Sequence, residues 1–381
     1  MQSLLPQWRA HGKREPVSPV RASSRRARFP RWARRPLLAA TFTTALLAVT
    51  ATAAFAQGVW QTLPSNPTAR GPLAGATAPC TRDRHRACVY AIGGNNTSGV
   101  PVNTVEAYSP ATNIWATLPS MPTAREALAA TTAPCPHARR DACVYAIGGS
   151  NGTSVKKTVE AYRPATNTWA TLPSMSTARY HLAAASAPCP RALDRTCVYA
   201  IGGDNSADLD TVEAYSPATN SWATVASMST ARSGLAAATA PCPGARHRTC
   251  VYAIGGINGS DILSTVEAYS PATNSWATVR SMPAARDYLA AATAPCTGAW
   301  HGTCVYAIGG TNGSTGLSTV EEYSPATNSW ATLPSMPTAR YGLAAAAAPC
   351  TAARHRTCVY AIDGVSGGTV LNTVEAFEVG R

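Results

Sequence analysis

Cys143-Val144-Tyr145-Ala146-Ile147-Gly148-Gly149 follows an Ala-rich run, Leu128 to Pro134, and leads to Thr158-Val159-Glu160-Ala161-Tyr162 and then Trp169-Ala170-Thr171-Leu172. Each run is short, suited to a strand and bounded by Gly, Pro, Asn or Ser, the punctuation of tight turns. Four such strands joined by turns make one small antiparallel sheet.

The same order of runs recurs on both sides of this stretch. Trp60, Trp115, Trp169, Trp222, Trp276 and Trp330 are separated by 55, 54, 53, 54 and 54 residues. A fixed period near fifty with a Gly-Gly doublet signals a propeller. The doublet after a β-rich run, then Tyr, then Trp a fixed step on, resembles the kelch repeat over nearly all of the chain after residue 56. Ala-rich strands begin near Pro72, Ala127, His181, Gly234, Tyr288 and Gly342, so the expectation is an all-β, six-bladed propeller with four antiparallel strands per blade. The Ala-rich strand belongs nearest the axis, where only small side chains fit, and the Trp strand outermost. The lone Trp60-Gln61-Thr62-Leu63 run should complete the last blade, which otherwise ends at Thr373-Val374-Glu375-Ala376-Phe377.

Composition fits one folded domain behind a leader. The 381 residues are 45% hydrophobic and 13% charged, which excludes global disorder. The formal charge of +13 would suggest nucleic acid, but +9 of it lies in the first 35 residues, ten Lys+Arg against Glu15, leaving +4 elsewhere. No nucleic-acid partner is therefore expected. The apolar stretch Pro36 to Ala56 ends in Ala54-Phe55-Ala56, so residues 1–56 read as a secretory signal peptide cleaved after Ala56. The alternative is an uncleaved membrane anchor over 36–56. Arg25-Arg26 and Arg34-Arg35 hint at twin-arginine rather than general export. An exported monomer, periplasmic, extracellular or at the cell surface, is expected.

All twelve cysteines follow one pattern, Cys-x7-Cys: Cys80 with Cys88, Cys135 with Cys143, Cys189 with Cys197, Cys242 with Cys250, Cys296 with Cys304 and Cys350 with Cys358. The first of each pair ends the inner strand and the second opens the next. One disulfide per blade is expected in an exported chain; zinc ligation and free thiols are the alternatives, and zinc favours closer ligand pairs. No metal or other cofactor is expected.

Residues needed in every blade are most simply packing residues. Arg70, Arg125, Arg179, Arg232, Arg286 and Arg340 recur in step with Glu106, Glu160, Glu213, Glu267, Glu321 and Glu375, and read as ion pairs within or between blades. Candidate binding residues are those that break the repeat in the loops at one end of the channel, the face on which kelch propellers bind peptides or sugars. After the repeated Arg stand Glu126, Tyr180, His181, Asp287, Tyr288 and Tyr341; after the Gly-Gly doublet stand Asn95, Asn151, Asp204, Asn258 and Asn312. Such side chains hydrogen-bond and stack on a protein or glycan. Asn and Asp are also good turn formers, and that reading is preferred over glycosylation at the Asn-x-Ser/Thr sites Asn95, Asn96, Asn151, Asn258 and Asn312. The disulfide loops at the opposite end are basic, with Arg82, Arg84, His85, Arg86, Arg139, Arg140, Arg191, Arg195, Arg246, His247, Arg248, Arg354, His355 and Arg356, a rim suited to an anionic surface; Trp300-His301 replaces the arginines in one blade.

The chain is read as a binding scaffold, not an enzyme. A copper oxidase of galactose-oxidase type would need a free Cys cross-linked to Tyr, and every Cys here has a loop-mate. The alternative is a carbohydrate-active propeller such as a sialic-acid mutarotase, for which Glu126, His181 and Asp287 are the only acid and base candidates.

Overall fold

The computed structural model describes residues 58–379, apart from 191, 299–301 and 352. The leader read at 1–56 lies outside the described residues. Six four-stranded antiparallel sheets follow one another, five of them in sequence order from the axis outward and the last with the first strand of the chain outermost. Blade 2 is typical: Ala129–Cys135 innermost, then Ala138–Ile147, Val159–Arg163 and Thr168–Leu172 outermost. A separate two-stranded hairpin, Ile257–Asn258 with Asp261–Ile262, forms in the loop after the doublet of blade 4.

Side-chain size fixes this order. The inner strands line a channel of about 230 Å3 with Ala, Thr, Ser and Gly alone, since six strands converging on an axis leave no room for more. Further out, the cores lie between blades. Tyr162 and Val144 of blade 2, for example, pack with Tyr90 and Ile92 of blade 1. Each outer-strand indole donates to a backbone carbonyl of the preceding blade, as Trp169 to Pro119 at 2.8 Å and Trp115 to Pro64 at 2.9 Å.

The ring closes as the sequence implies. Trp60–Leu63 is the outer strand of blade 6, pairing antiparallel with Thr369–Val379 in the register Trp60↔Phe377 to Leu63↔Val374. One sheet thus holds both ends of the described chain, and the N-terminal strand covers the outer edge of the C-terminal one.

The six Cys pairs are disulfides, one at the axial hairpin of each blade. Cys80 is bridged to Cys88, Cys135 to Cys143 and Cys189 to Cys197 in blades 1 to 3. In blades 4 to 6 Cys242 is bridged to Cys250, Cys296 to Cys304 and Cys350 to Cys358. No described cysteine is free, so the pairing expected from the spacing holds in every blade, and the zinc and free-thiol alternatives fall away. The hairpins are more regular than the expected loops. In blade 2 the second strand begins at Ala138, five residues before Cys143, and a bulge between Pro134 and Cys135 absorbs the offset. The basic loops are therefore largely extended backbone, bulged out opposite the first cysteine and tied by the bridge.

Candidate functional site

The repeated arginines build the platform on which the variable residues stand. Arg125, in the connection from blade 1 to blade 2, accepts at its carbonyl from Gly94 N of blade 1 at 2.9 Å. Its guanidinium reaches into blade 2, donating to the Gly148 and Thr158 carbonyls at 2.7 and 3.1 Å and to Glu160 at 2.7 Å. All six Arg–Glu pairs form, at 2.7 to 3.0 Å, with every arginine fully buried. Each pair lies within the blade its arginine leads into, while the arginine's backbone bonds the blade before. Burial lowers the guanidinium pKa and the paired carboxylate opposes that shift.

The doublet is explained by the same contact. A Cβ on Gly93, at φ 60°, would stand 2.5 Å from the Arg125 carbonyl oxygen, and one on Gly94, at φ 96°, 2.9 Å from Leu73.

The residue after each arginine exchanges two backbone hydrogen bonds with the residue after the doublet of the same blade. Tyr180 and Asp204 do so at 3.1 and 2.9 Å, and Glu126 and Ser150 at 2.9 and 3.0 Å. The next position forms a ring around the channel mouth. Ala127 N donates to Pro72 O, His181 N to Ala127 O, Gly234 N to His181 O, Tyr288 N to Gly234 O and Gly342 N to Tyr288 O, at 2.7 to 3.2 Å. Pro72 has no N–H, so the circle stops there. Positive φ runs through the ring: 47° at Ala127, 50° at His181, 59° at Gly234, 48° at Tyr288 and 58° at Gly342. Glycine holds that conformation without penalty, whereas Ala127, His181 and Tyr288 are strained in it.

Gly234 leaves room for its neighbours to meet above it. His181 of blade 3 and Tyr288 of blade 5 pack edge to face with centroids 4.9 Å apart. Tyr180 lies 4.3 Å from His181, and Tyr341 lies 6.5 Å from Tyr288, giving an aromatic arc over blades 3 to 6. Blades 1 and 2 present Gly71, Pro72 and Ala127 there, beside Glu126, which accepts from Asn95 Nδ2. Burial pushes the His181 imidazole down to about 4 and the Asp287 carboxyl up to about 6. Desolvation also raises the Tyr180 phenol, helped by Asp204, Glu126 and Asp208.

The structure thus gathers Glu126, Tyr180, His181, Asp287, Tyr288, Tyr341, Asn95 and Asp204 at one mouth. Asn151, Asn258 and Asn312 sit one residue further out, at the loop tips. The carboxamide oxygens of Asn151 and Asn312 accept from backbone N–H groups two and three residues on, as Asx turns do. Asn258 pairs through its backbone with Asp261. The hollow in the mouth is shallow, about 70 Å3. A larger cleft of about 560 Å3 lies at the other end, between the disulfide hairpins of blades 2 and 3, lined by His137, Asp194 and Arg195 among others. At that end Arg82, Arg84, His85, Arg86, Arg140, Arg195, His247, Arg248 and His355 are exposed, while Arg356 pairs with buried Glu378 at 2.6 Å. Arg191 and Trp300-His301 lie outside the described residues.

Sequence reasoning passed over two linked breaks in the repeat. In blades 1 to 5 the first glycine of the doublet faces a methionine; a Cβ there would stand 2.9 to 3.3 Å from the methyl carbon of Met121, Met175, Met228, Met282 or Met336. In blade 6 Asp363 replaces that glycine and Asn66 the methionine. Both are fully buried, and Asn66 Nδ2 donates to Asp363 Oδ2 at 2.5 Å, bridging the chain-closing seam. Burial raises the Asp363 carboxyl well above the usual range against the opposing pull of Arg70 and Arg340. A third break, Glu322 in place of alanine, is buried and accepts from Thr297 and Tyr306 beside the Cys296–Cys304 bridge.

A family model described as the kelch motif matches residues 87–122, 134–176, 192–229, 238–283 and 292–337, together more than half of the chain. Kelch-like protein 35 of Mus musculus is 31% identical over 197 residues, covering 49% of this chain and 29% of that protein. Kelch-like protein terF of Aspergillus terreus is 29% identical over 191 residues, 46% and 38% of the two chains. Kelch-like protein 23 of Homo sapiens is 28% identical over 203 residues, 52% and 32%. The match spans about a third of the length of these curated relatives.

Proposed function

The chain belongs to the kelch-repeat family, and from that premise we propose that it is a binding scaffold working outside the cytosol, which engages a protein partner across the channel mouth. One observation carries this reading: the sixfold repetition of side chains stops at the mouth ring and its paired loops. Buried positions repeat from blade to blade except at breaks such as Asn66, Asp363 and Glu322, while the mouth holds Glu, Tyr, His and Asp side chains in an asymmetric arc. Strain points the same way. Gly serves the ring at 234 and 342, while Ala127, His181 and Tyr288 hold the same left-handed conformation at a cost, which at 181 and 288 side-chain function would explain.

A hollow of about 70 Å3 suits a protein surface presenting one side chain better than an enzyme substrate, whose pockets run to roughly 300–1,000 Å3. A mutarotase would need a free acid and base facing one pocket, and the Glu126 carboxylate is already engaged by Asn95. No acceleration of sialic-acid anomer exchange is expected. Six disulfides fit an oxidising compartment, consistent with export by residues 1–56. The exposed basic rim is suited to hold the propeller against an anionic surface with the mouth facing away.

Affinity capture with the full-length chain tests the scaffold reading. A specific protein should be retained by wild type and by the double variant Arg84→Ala with Arg86→Ala, and lost with Tyr180→Ala and Tyr341→Ala together. Equal retention by the mouth variant would overturn it. Retention of oligosaccharide in place of protein would make the ligand a glycan.

A further inference from the structure

We propose that Asp287 receives an organic cation, the ammonium or guanidinium of a lysine or arginine side chain on the partner, against the aromatic arc of the mouth. This rests on the scaffold reading and names the chemistry of the group it binds.

Asp287 is 4% exposed, and its Oδ1 has no hydrogen-bond partner. The described ion pairs give each of the six repeated glutamates an arginine, and Glu378 has Arg356; none includes Asp287. A buried carboxylate without a counter-charge is costly, and the fold does not demand it. The equivalent residues in the other blades are Gly71, Glu126, Tyr180, Ser233 and Tyr341, which make the same backbone pair with groups as different as hydrogen, hydroxyl and phenol.

Asp287 adjoins the mouth hollow. A Cβ on Gly234, which lines the mouth hollow, would stand 3.6 Å from the Asp287 Cβ. The next residue, Tyr288, packs against His181 and faces Tyr341, so a cation held by Asp287 would lie beside aromatic rings, whose faces attract cations. His181 is not the missing counter-ion, because burial keeps its imidazole neutral at pH 7. Glu126, Asp204 and Asp208 act on Tyr180, and Asp204 and Asp208 also on Tyr288, so these carboxylates contribute a negative field at the arc. A partner's basic side chain answers both the unpaired carboxylate and that field.

Calorimetric titration of the full-length chain with three probes tests the assignment: acetyl-Gly-Arg-Gly-amide, acetyl-Gly-Glu-Gly-amide and ethylguanidinium chloride. The Arg peptide should bind wild type at least tenfold more tightly than the Glu peptide, and Asp287→Asn should lose at least tenfold. Asp287→Ser, which installs the residue blade 4 carries at this position, should lose as much and melt no lower than wild type; it serves if the Asn variant fails to fold. Asp83→Asn, at the opposite end, should bind as wild type. An Arg peptide tighter than ethylguanidinium assigns the cation to a peptide; equal binding assigns it to a free amine or guanidine. Undetectable binding of both cationic probes, equal binding of the two peptides, or unchanged affinity in the Asp287 variants overturns the proposal. If the captured protein is also retained by Asp287→Ser, the scaffold reading stands and the cation assignment alone falls.

Discussion

The blade interior and the channel mouth sit a few residues apart in every repeat and obey opposite rules. Arg179 and Arg232 meet Glu213 and Glu267 in the same geometry, at 2.8 and 2.7 Å, and the pattern runs through all six blades. One and two residues further on, the blades carry Gly-Pro, Glu-Ala, Tyr-His, Ser-Gly, Asp-Tyr and Tyr-Gly. The backbone hydrogen bonds are the same at both levels, so the difference lies in the side chains. Where a side chain completes the blade one chemistry recurs, departing from it only in compensated form as at Asn66 with Asp363; where backbone alone completes it, the side chain is released for other work.

Substitutions that separate the two regions should fall in a definite order. Arg179→Met, which leaves Glu213 buried without its partner, should cost about 3–5 kcal/mol in urea denaturation, and adding Glu213→Leu should recover most of it. Removing one bridge with Cys189→Ala and Cys197→Ala together should cost about 2–3 kcal/mol by the same measurement, because the short loop it closes limits the entropy it removes from the unfolded chain. At the seam, Asn66→Met alone should cost about 1–3 kcal/mol by stranding the Asp363 carboxyl. Asn66→Met with Asp363→Gly, which rebuilds the arrangement of the other five blades, should restore stability; a double variant worse than the single would remove this account of blade 6.

Effects on stability should vanish or reverse at the mouth. His181→Gly or Tyr288→Gly should change stability by less than about 1 kcal/mol, since relief of the left-handed backbone offsets lost ring contacts, while capture of the partner is lost. Asp287 gives a pH signature of the same kind. Its folded pKa of about 6 lies above the usual value of 3.8, so the folded state holds the proton more tightly. Stability from this group is therefore full at low pH and declines as pH rises through about 4 to 6. Thermal melts of Asp287→Asn should lack that decline and lie a few degrees above wild type at pH 7.

Much of this was legible in the sequence because a repeat states each constraint six times. The Trp spacing gave the blade count, Cys-x7-Cys the bridges, and the matched steps of Arg and Glu the buried pairs. The hydrogen-bonded ring was not legible. It depends on backbone conformation at positions with no common residue, where His181 and Tyr288 do what Gly234 does. Asn66 and Asp363 were visible as breaks in a Met position and a Gly-Gly doublet; linking them needed only the seam already read from the lone Trp60 strand. Asp287 stood among the candidates, but its lack of a cation emerges only from the packing around it.

The most direct measurement of the division between interior and mouth is photo-crosslinking from a benzoylphenylalanine placed singly at Tyr341, Tyr180 or, at the opposite rim, His355, in the full-length chain made by its native host. Adducts to one protein from positions 341 and 180, with none from 355, are the predicted result. Adducts to that protein from 355 alone would contradict the claim that the mouth is the binding face.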